Sequence, residues 1–175
     1  TPSVPAAPPV PNARVAVATG RALDALTRAY TPVSARINFL VAAEVLWRDA
    51  VDNDASRAVQ RTRAGAVRLE ILRMTPILVR TQAAVRRMVQ TQAGTRAVQQ
   101  LMVSAISNRA VALKRLCALL DASSDDTADD DVEALDDRYR AAWNASARDA
   151  RSATGAIQEL RASLGLDPAR EEAVR

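Results

Sequence analysis

The sequence predicts an all-α fold, an elongated bundle of three long, partly kinked helices with coiled-coil-like packing. Apolar residues recur at steps of three and four over long stretches, which is the period of an amphipathic helix. Alternating runs of β-branched residues bounded by Asn-Gly or Asp-Gly turns, the pattern of hairpin strands, do not occur in the sequence. Hydrophobic residues make up 49% of the chain but aromatic residues only 3%. Burial must therefore come from many small contacts along alanine-rich helices.

The 175 residues suffice for one substantial domain. Residues 1–11 hold five of the eight prolines and no charge, a composition typical of a disordered linker. Asn12 can cap the first helix. We therefore expect a single helical domain over residues 12–165, followed by a C-terminal tail over residues 166–175.

The first helical segment is predicted over residues 13–53. Its apolar seam steps by three and four without a slip, and only the carboxylate of Glu44 interrupts it chemically. The run Asp52-Asn53-Asp54 ends the segment, and Asp54 is expected to cap the next helix. The seam consists of Leu23, Leu26, Tyr30, Val33, Ile37, Leu40, Glu44, Trp47 and Val51.

The second segment is predicted over residues 55–121 as one long helix, with an apolar series that becomes less regular after Met88. Prolines follow threonines at Thr31-Pro32 and Thr75-Pro76. Each pair can either start a new helix, with threonine as its cap, or kink a continuous one. Because the apolar phase is unchanged across both prolines, kinked continuity is favoured.

The third segment is predicted over residues 130–164, after an acidic connector over 121–129. The middle of its seam consists of small residues, which would let another helix of the chain approach closely: Ala142, Ser146, Ala150 and Ala153. Gly165 fits the left-handed position that ends a helix, and Pro168 prevents continuation.

Four glycines fall inside the predicted helices, where each costs about 1 kcal/mol relative to alanine. They are Gly20, Gly65, Gly94 and Gly155. Simple tolerance in long helices and close crossings between helices both explain them, and the sequence does not decide between the two.

The residue inventory argues against catalysis and against a metal or cofactor site. The chain has no histidine, so a Ser-His-Asp or Cys-His arrangement is impossible within it. It has one cysteine, Cys117, in an apolar setting, and no glycine-rich phosphate loop. The carboxylates of residues 121–137 lack the alternation and the glycine of a calcium loop. We therefore expect a protein that is not an enzyme and that holds no cofactor and no metal.

The charge is distributed unevenly along the chain. Residues 57–115 hold twelve basic residues and one acidic residue, Glu70, while residues 121–137 hold nine carboxylates and no basic residue. Arg73, Arg80 and Arg87 recur every seven residues and form a stripe down one side of a helix. The arginine excess has a simpler possible source in the codon bias of a GC-rich genome.

These observations favour a structural, scaffolding or protein-interaction module that acts through helix packing, as part of a larger protein or an intracellular assembly such as a virion or cytoskeleton. Its partner would be another protein or a second copy. The candidate contact residues are Val67, Ile71, Met74, Leu78, Val85, Met88, Arg73, Arg80 and Arg87. No stretch is apolar enough to span a membrane, and no small-molecule substrate is indicated.

The alternative is a nucleic-acid-associated helical module in which an arginine-rich helix face contacts phosphates. That face would consist of Arg57, Arg61, Arg63, Arg73, Arg80, Arg86 and Arg87. Aromatic residues for base stacking do not occur between residues 48 and 138, which counts against single-strand binding.

The acidic residues that begin the third segment generate a first testable prediction. Carboxylates in a first helical turn favour the positive end of the helix dipole, by about 0.3–1 kcal/mol each. Replacing Asp129, Asp130 and Asp131 together with Asn should therefore loosen this helix start and lower the thermal midpoint. Circular dichroism melting checks this, and unchanged helicity and stability would contradict the interpretation.

Overall fold

The computed structural model describes residues 13–124 and 129–166, without the side chain of Asp129, and shows a bundle of four α-helices. The helices are α1 (Ala13–Asp52), α2 (Arg57–Arg87), α3 (Ala93–Ala122) and α4 (Asp129–Ser163). No strand occurs in these two described stretches. The predicted linker at 1–11 with the Asn12 cap, residues 125–128 of the acidic connector, and all but the first residue of the predicted C-terminal tail lie outside the described residues.

Each helix runs antiparallel to the next along the chain. Contacts between α1 and α2 join Ala50 to Gln60 near their connection, and contacts between α2 and α3 join Gln82 to Ser107. In the α3–α4 pair, Asn108 donates to Asp149. The resulting order is up-down-up-down, with short connections between neighbours.

The all-α class is confirmed, but the prediction of three helices is wrong. The predicted segment 55–121 ends at Arg87 and restarts at Ala93. At the break, Met88 adopts an extended backbone, and the Nε2 of Gln99 donates to the carbonyl oxygens of Val85 and Met88 at 2.5 and 2.8 Å. These bonds satisfy carbonyls that the end of a helix leaves unpaired. Folding back also lets one half of the apolar series bury the other.

Both proline-containing helices are continuous, so a new helix does not start at either proline. Pro32 lies inside α1 and Pro76 inside α2. The preceding threonines hydrogen-bond back to the fourth residue before them, Thr31 to Thr27 at 3.1 Å and Thr75 to Ile71 at 2.8 Å. The unbroken apolar phase was therefore a better indicator than the Thr-Pro pairs, because a helix tolerates proline when tertiary packing holds the flanking turns.

The ends of α2 and α4 test the capping predictions. Ser56, not Asp54, is the N-cap of α2, while Asp54 lies in the connecting turn with a positive φ of 49°. The predicted stop of α4 is confirmed, because Gly165 has a φ of 65°. The amides of Gly165 and Leu166 donate to the carbonyls of Ala162 and Arg161, the bonds of a Schellman motif.

The core runs the length of the bundle and consists mainly of leucine, valine, isoleucine, methionine and alanine. Leu23, Leu26 and Leu40 of α1 are fully buried, as are many residues of α2 and α3. The most extensive packing joins α3 and α4. There Ser146 is fully buried and its hydroxyl donates to the carbonyl of Ala105 at 2.8 Å. The small-residue face of α4 thus makes the close intramolecular contact that the sequence predicts.

The four helical glycines divide between the two explanations. A Cβ at Gly65 or Gly155 would meet no atom within 4 Å, so these two are tolerated rather than required. A Cβ at Gly94 would lie 2.6 Å from Cδ2 of Leu160, and one at Gly20 would lie 3.1 Å from Cδ1 of Leu166. A close helix crossing therefore explains Gly94, and close packing of Leu166, just beyond the end of α4, explains Gly20.

This division predicts opposite outcomes for two alanine substitutions. Gly155→Ala should raise the free energy of unfolding by about 0.5–1 kcal/mol, because alanine has the higher helix propensity and nothing obstructs its methyl group. Gly94→Ala should raise the free energy of unfolding by less than Gly155→Ala does, or lower it, because Leu160 has to move to make room for the new methyl group. Urea unfolding at pH 7 measures both, and an equal gain at the two positions would contradict the packing at Gly94.

Candidate functional site

The apolar candidate contact residues lie in the interior of the chain's own bundle. Val67, Ile71, Met74, Leu78 and Val85 are buried against the other helices, and Met88 is partly buried. In the folded monomer these side chains belong to the common core of the bundle and do not form an exposed seam. A partner cannot reach them without opening the bundle.

The three arginines of the predicted stripe are exposed on α2. Arg73 donates from Nη1 to Oε1 of Glu70 at 2.8 Å, and Nε of Arg80 donates to the carbonyl of Pro76 at 3.2 Å. Glu70 is itself buried and forms a second ion pair with Arg36 of α1. The acidic residue of α2 is therefore directed inward, toward α1, and not toward the outer surface.

The outer side of α2 carries a second apolar series. We call it the outer seam; it steps by four and three through Gly65, Leu69, Leu72, Pro76, Val79 and Ala83. Leu72 and Pro76 lie two residues either side of the buried Met74, about 200° around the helix, and so project away from the core. Leu72 is 71% exposed and Val79 is 64% exposed. An α-helix in a bundle this size needs one apolar face, and α2 has two.

Arginines border the outer seam on both sides. Arg73 and Arg80 follow one edge and Arg68 lies at the other, at positions that flank the seam of a coiled coil, while Arg86 takes the next seam position, seven residues after Val79. Arg68 forms an exposed ion pair with Asp121 of α3. On α1, the exposed ring of Phe39 lies under the guanidinium of Arg36, 4.9 Å from its centroid. The outward surface of α2 is thus apolar along its centre and positively charged at its edges.

A network of polar side chains joins α1 to α4. Arg48 donates to Glu44 at 2.8 Å within α1 and to both carboxylate oxygens of Asp136 in α4, at 2.7 and 3.3 Å. The phenol of Tyr139 donates to the other oxygen of Glu44 at 2.5 Å. At the opposite end of the same helix pair, Arg161 of α4 forms an ion pair with Asp24 of α1. Glu44, which interrupts the apolar seam of α1, therefore has a structural role.

The electrostatics of this network follow from burial and pairing. Burial alone would raise the pKa of Asp136, but the hydrogen bond and charge of Arg48, with Arg140, hold it below its usual value. Burial alone would lower the pKa of Arg48, and its bonds to Asp136 and Glu44 raise it instead. Burial and the Glu44 carboxylate both raise the pKa of Tyr139, so its phenol stays protonated.

Next to the network lies Arg109 of α3, which is only 3% exposed. Its guanidinium carbon lies 3.5 Å from the ring centroid of Trp143. Burial lowers the pKa of Arg109, against the opposing influence of Tyr30, Tyr139 and Glu44. Its Nε and Nη1 have no hydrogen-bond partner within the described part of the chain.

The described residues 13–124 and 129–166 contain no group of three or more carboxylate or cysteine side chains that could hold a metal ion. None of the four helices is long and apolar enough to cross a membrane over these residues. The chain matches no protein-family model, no curated protein sequence and no solved structure. Functional inference therefore depends on the geometry of the bundle itself.

Sequence reasoning missed both the outer seam and Arg109, although signals for each are present. The outer seam repeats with the heptad steps of the core seam, so a search for two apolar faces on one helix would have found it. Arg109 occupies a gap in the core series of α3, between Ala105 and Ala112. Its spacing from these two alanines puts Arg109 on the buried face of the helix.

The network predicts a specific dependence of stability on pH. Asp136→Asn should lower the free energy of unfolding at pH 7 by about 1–2 kcal/mol, because Arg48 loses a charged partner. A carboxyl with a depressed pKa contributes its full stabilisation above its unfolded pKa of about 3.9 and loses it as the pH falls. The difference in free energy of unfolding between the wild type and Asp136→Asn should therefore become smaller below about pH 5.

Urea unfolding between pH 3 and pH 7 measures this difference. Asp137→Asn is the matched control, since it removes the next carboxylate along an exposed part of the same turn. A destabilisation that is independent of pH, or that is as large in the control, would contradict the role of Asp136.

Proposed function

We propose that this chain is a non-enzymatic interaction module that binds an acidic amphipathic helix of a protein partner along the outer seam of α2. The observation that carries the proposal is the heptad spacing of exposed apolar residues on the side of α2 opposite the core. A single exposed leucine is ordinary on a protein surface. A contiguous apolar series in heptad register is the pattern that another helix recognises.

The charges beside the outer seam favour an acidic partner. Arg73 and Arg80 border one edge and Arg68 the other, and Glu70 faces the core. Carboxylates flanking the apolar stripe of a partner helix would face these arginines, which would accelerate association and fix the register. The same charges oppose binding between two copies of α2, because arginines would then face arginines.

A peptide titration tests this proposal. The probe is a designed 21-residue helix with leucine at its seam positions and glutamate at its flanking positions; a second peptide carries lysine in place of glutamate. Fluorescence anisotropy should show binding of the glutamate peptide and at least about tenfold weaker binding of the lysine peptide. A tenfold difference corresponds to about 1.4 kcal/mol.

Two pairs of substitutions locate the binding surface. Leu72→Ala with Val79→Ala should lower the affinity for the glutamate peptide about tenfold or more. It should not lower the stability of the fold, because both side chains are exposed. The matched control, Val17→Ala with Val111→Ala, removes similar exposed side chains from α1 and α3 and should leave binding unchanged. Equal binding of both peptides, or no effect of the α2 pair, would contradict the proposal.

The same measurements distinguish the other partners. Concentration-dependent mass in sedimentation that Leu72→Ala with Val79→Ala abolishes would indicate a second copy as the occupant. Binding to duplex DNA that falls steeply with salt, and that Arg80→Glu weakens while the apolar pair does not, would indicate the nucleic-acid alternative.

A further inference from the structure

A cavity of about 250 Å³ lies between α1, α3 and α4, away from the outer seam. Long polar side chains join α1 to α4 at both ends of this helix pair, and the cavity lies between those two contacts. Six of its lining residues are apolar: Ile37, Met102, Ala147, Ala150, Ala153 and Ile157. The walls are therefore mainly small and aliphatic.

The polar residues of the cavity have an uneven charge. Two arginines line it, Arg109 from α3 and Arg151 from α4, and none of the described lining residues is acidic. Arg151 is exposed, so the positive charge extends from the interior to the surface. Hydroxyl and amide groups from α1, including Tyr30 and Asn38, complete the lining.

Arg109 is the group in this cavity whose position needs an explanation. A buried guanidinium loses its hydration, which costs several kcal/mol unless an anion and hydrogen bonds replace it. The face of Trp143 contacts one side of the guanidinium, but a ring face satisfies none of its N–H donors. The Nε and Nη1 donors are shielded from solvent and have no hydrogen-bond partner in the described part of the chain.

The neighbouring Glu44 carboxylate attracts Arg109 through its charge, but its oxygens accept hydrogen bonds from other side chains. The two oxygens of the Glu44 carboxylate already accept from Arg48 and Tyr139, at 2.8 and 2.5 Å. The hydroxyl of Tyr30, which also lines the cavity, is buried and has no partner among the described residues. Two guanidinium nitrogens of Arg109 and the phenol of Tyr30, all without a hydrogen-bond partner among the described residues, thus lie at one cavity, and each can donate to an acceptor there.

We propose that the cavity between α1, α3 and α4 binds a small organic carboxylate with an apolar body, whose carboxylate pairs with Arg109 and accepts from Tyr30. A planar carboxylate matches the fork of one guanidinium, with two parallel hydrogen bonds. The aliphatic walls fit an apolar body, and the cavity is slightly smaller than the pockets that hold drug-sized ligands. A medium-chain fatty acid has this combination of size and chemistry.

The test uses octanoate as the probe and octanamide as its neutral counterpart of the same shape. Isothermal titration calorimetry at constant ionic strength should show saturable binding of octanoate to the wild-type chain. Octanamide should bind at least about tenfold more weakly, because charge-assisted hydrogen bonds are roughly twice as strong as neutral ones. Binding of the two ligands with equal affinity, or no binding of octanoate at millimolar concentration, would overturn the proposal.

Arg109→Met keeps most of the side-chain length and removes the charge. This variant should lose at least tenfold in octanoate affinity, and its thermal midpoint without ligand should be equal to or above that of the wild type. The matched control is Arg148→Met, which removes an exposed arginine of α4 outside the cavity lining. Unchanged octanoate affinity in Arg109→Met would overturn the proposed site.

A second variant leaves Arg109 in place and fills the space instead. Ala150→Leu adds three carbons to the cavity wall and should reduce octanoate affinity at least tenfold while Arg148→Met does not. If Arg109→Met proved too unstable to titrate, Ala150→Leu and Tyr30→Phe would still decide the question. Full affinity in both of these variants would place octanoate elsewhere and overturn the proposal.

Discussion

The close approach of α3 and α4 is the constraint on which the rest of the bundle depends. Small residues make this approach possible, and Ser146 uses it to donate to the carbonyl of Ala105. A core with few aromatic residues gains its burial from such short interhelical distances, because many small contacts replace a few large ones. Once α3 and α4 lie this close, α1 and α2 must pack on them as a second pair, and the four apolar faces meet along one axis.

The α1–α4 interface is the complement of that constraint. Its two helices are linked by Arg48 with Asp136, by Tyr139 with Glu44, and by Arg161 with Asp24, so long polar side chains span a distance that alanines cannot. These pairs also favour one register of α4, since a shift by one turn would separate partly buried charges from their partners. The price of this arrangement is imperfect filling, and the cavity beside Arg109 lies in the same interface.

The sequence predicted the helical class, the continuity of the helices through Pro32 and Pro76, and the end of α4 at Gly165, because these depend on local periodicity and local backbone preference. It did not predict the turn at residues 88–92. That turn depends on long-range packing, in which one apolar face buries another. It also depends on Gln99, which caps the end of α2 from the following helix. The same turn explains why Val67 and Met74 were predicted to contact a partner. Their helix face folds back against the chain's own helices and is buried, so it leaves no exposed seam.

Both inferred sites lie where the chain departs from the pattern of a simple helical bundle. On α2, Leu72 and Val79 stay exposed in heptad register on the side opposite the core. Other positions of the α3 core face are small or apolar, yet Arg109 occupies one of them. A codon bias explains how many arginines and alanines the chain has, but it does not explain why one arginine lies on a buried face beside an unpaired phenol. Departures of this kind cost stability in the isolated fold, and the proposed ligand and partner would compensate this cost at Arg109 and along the outer seam.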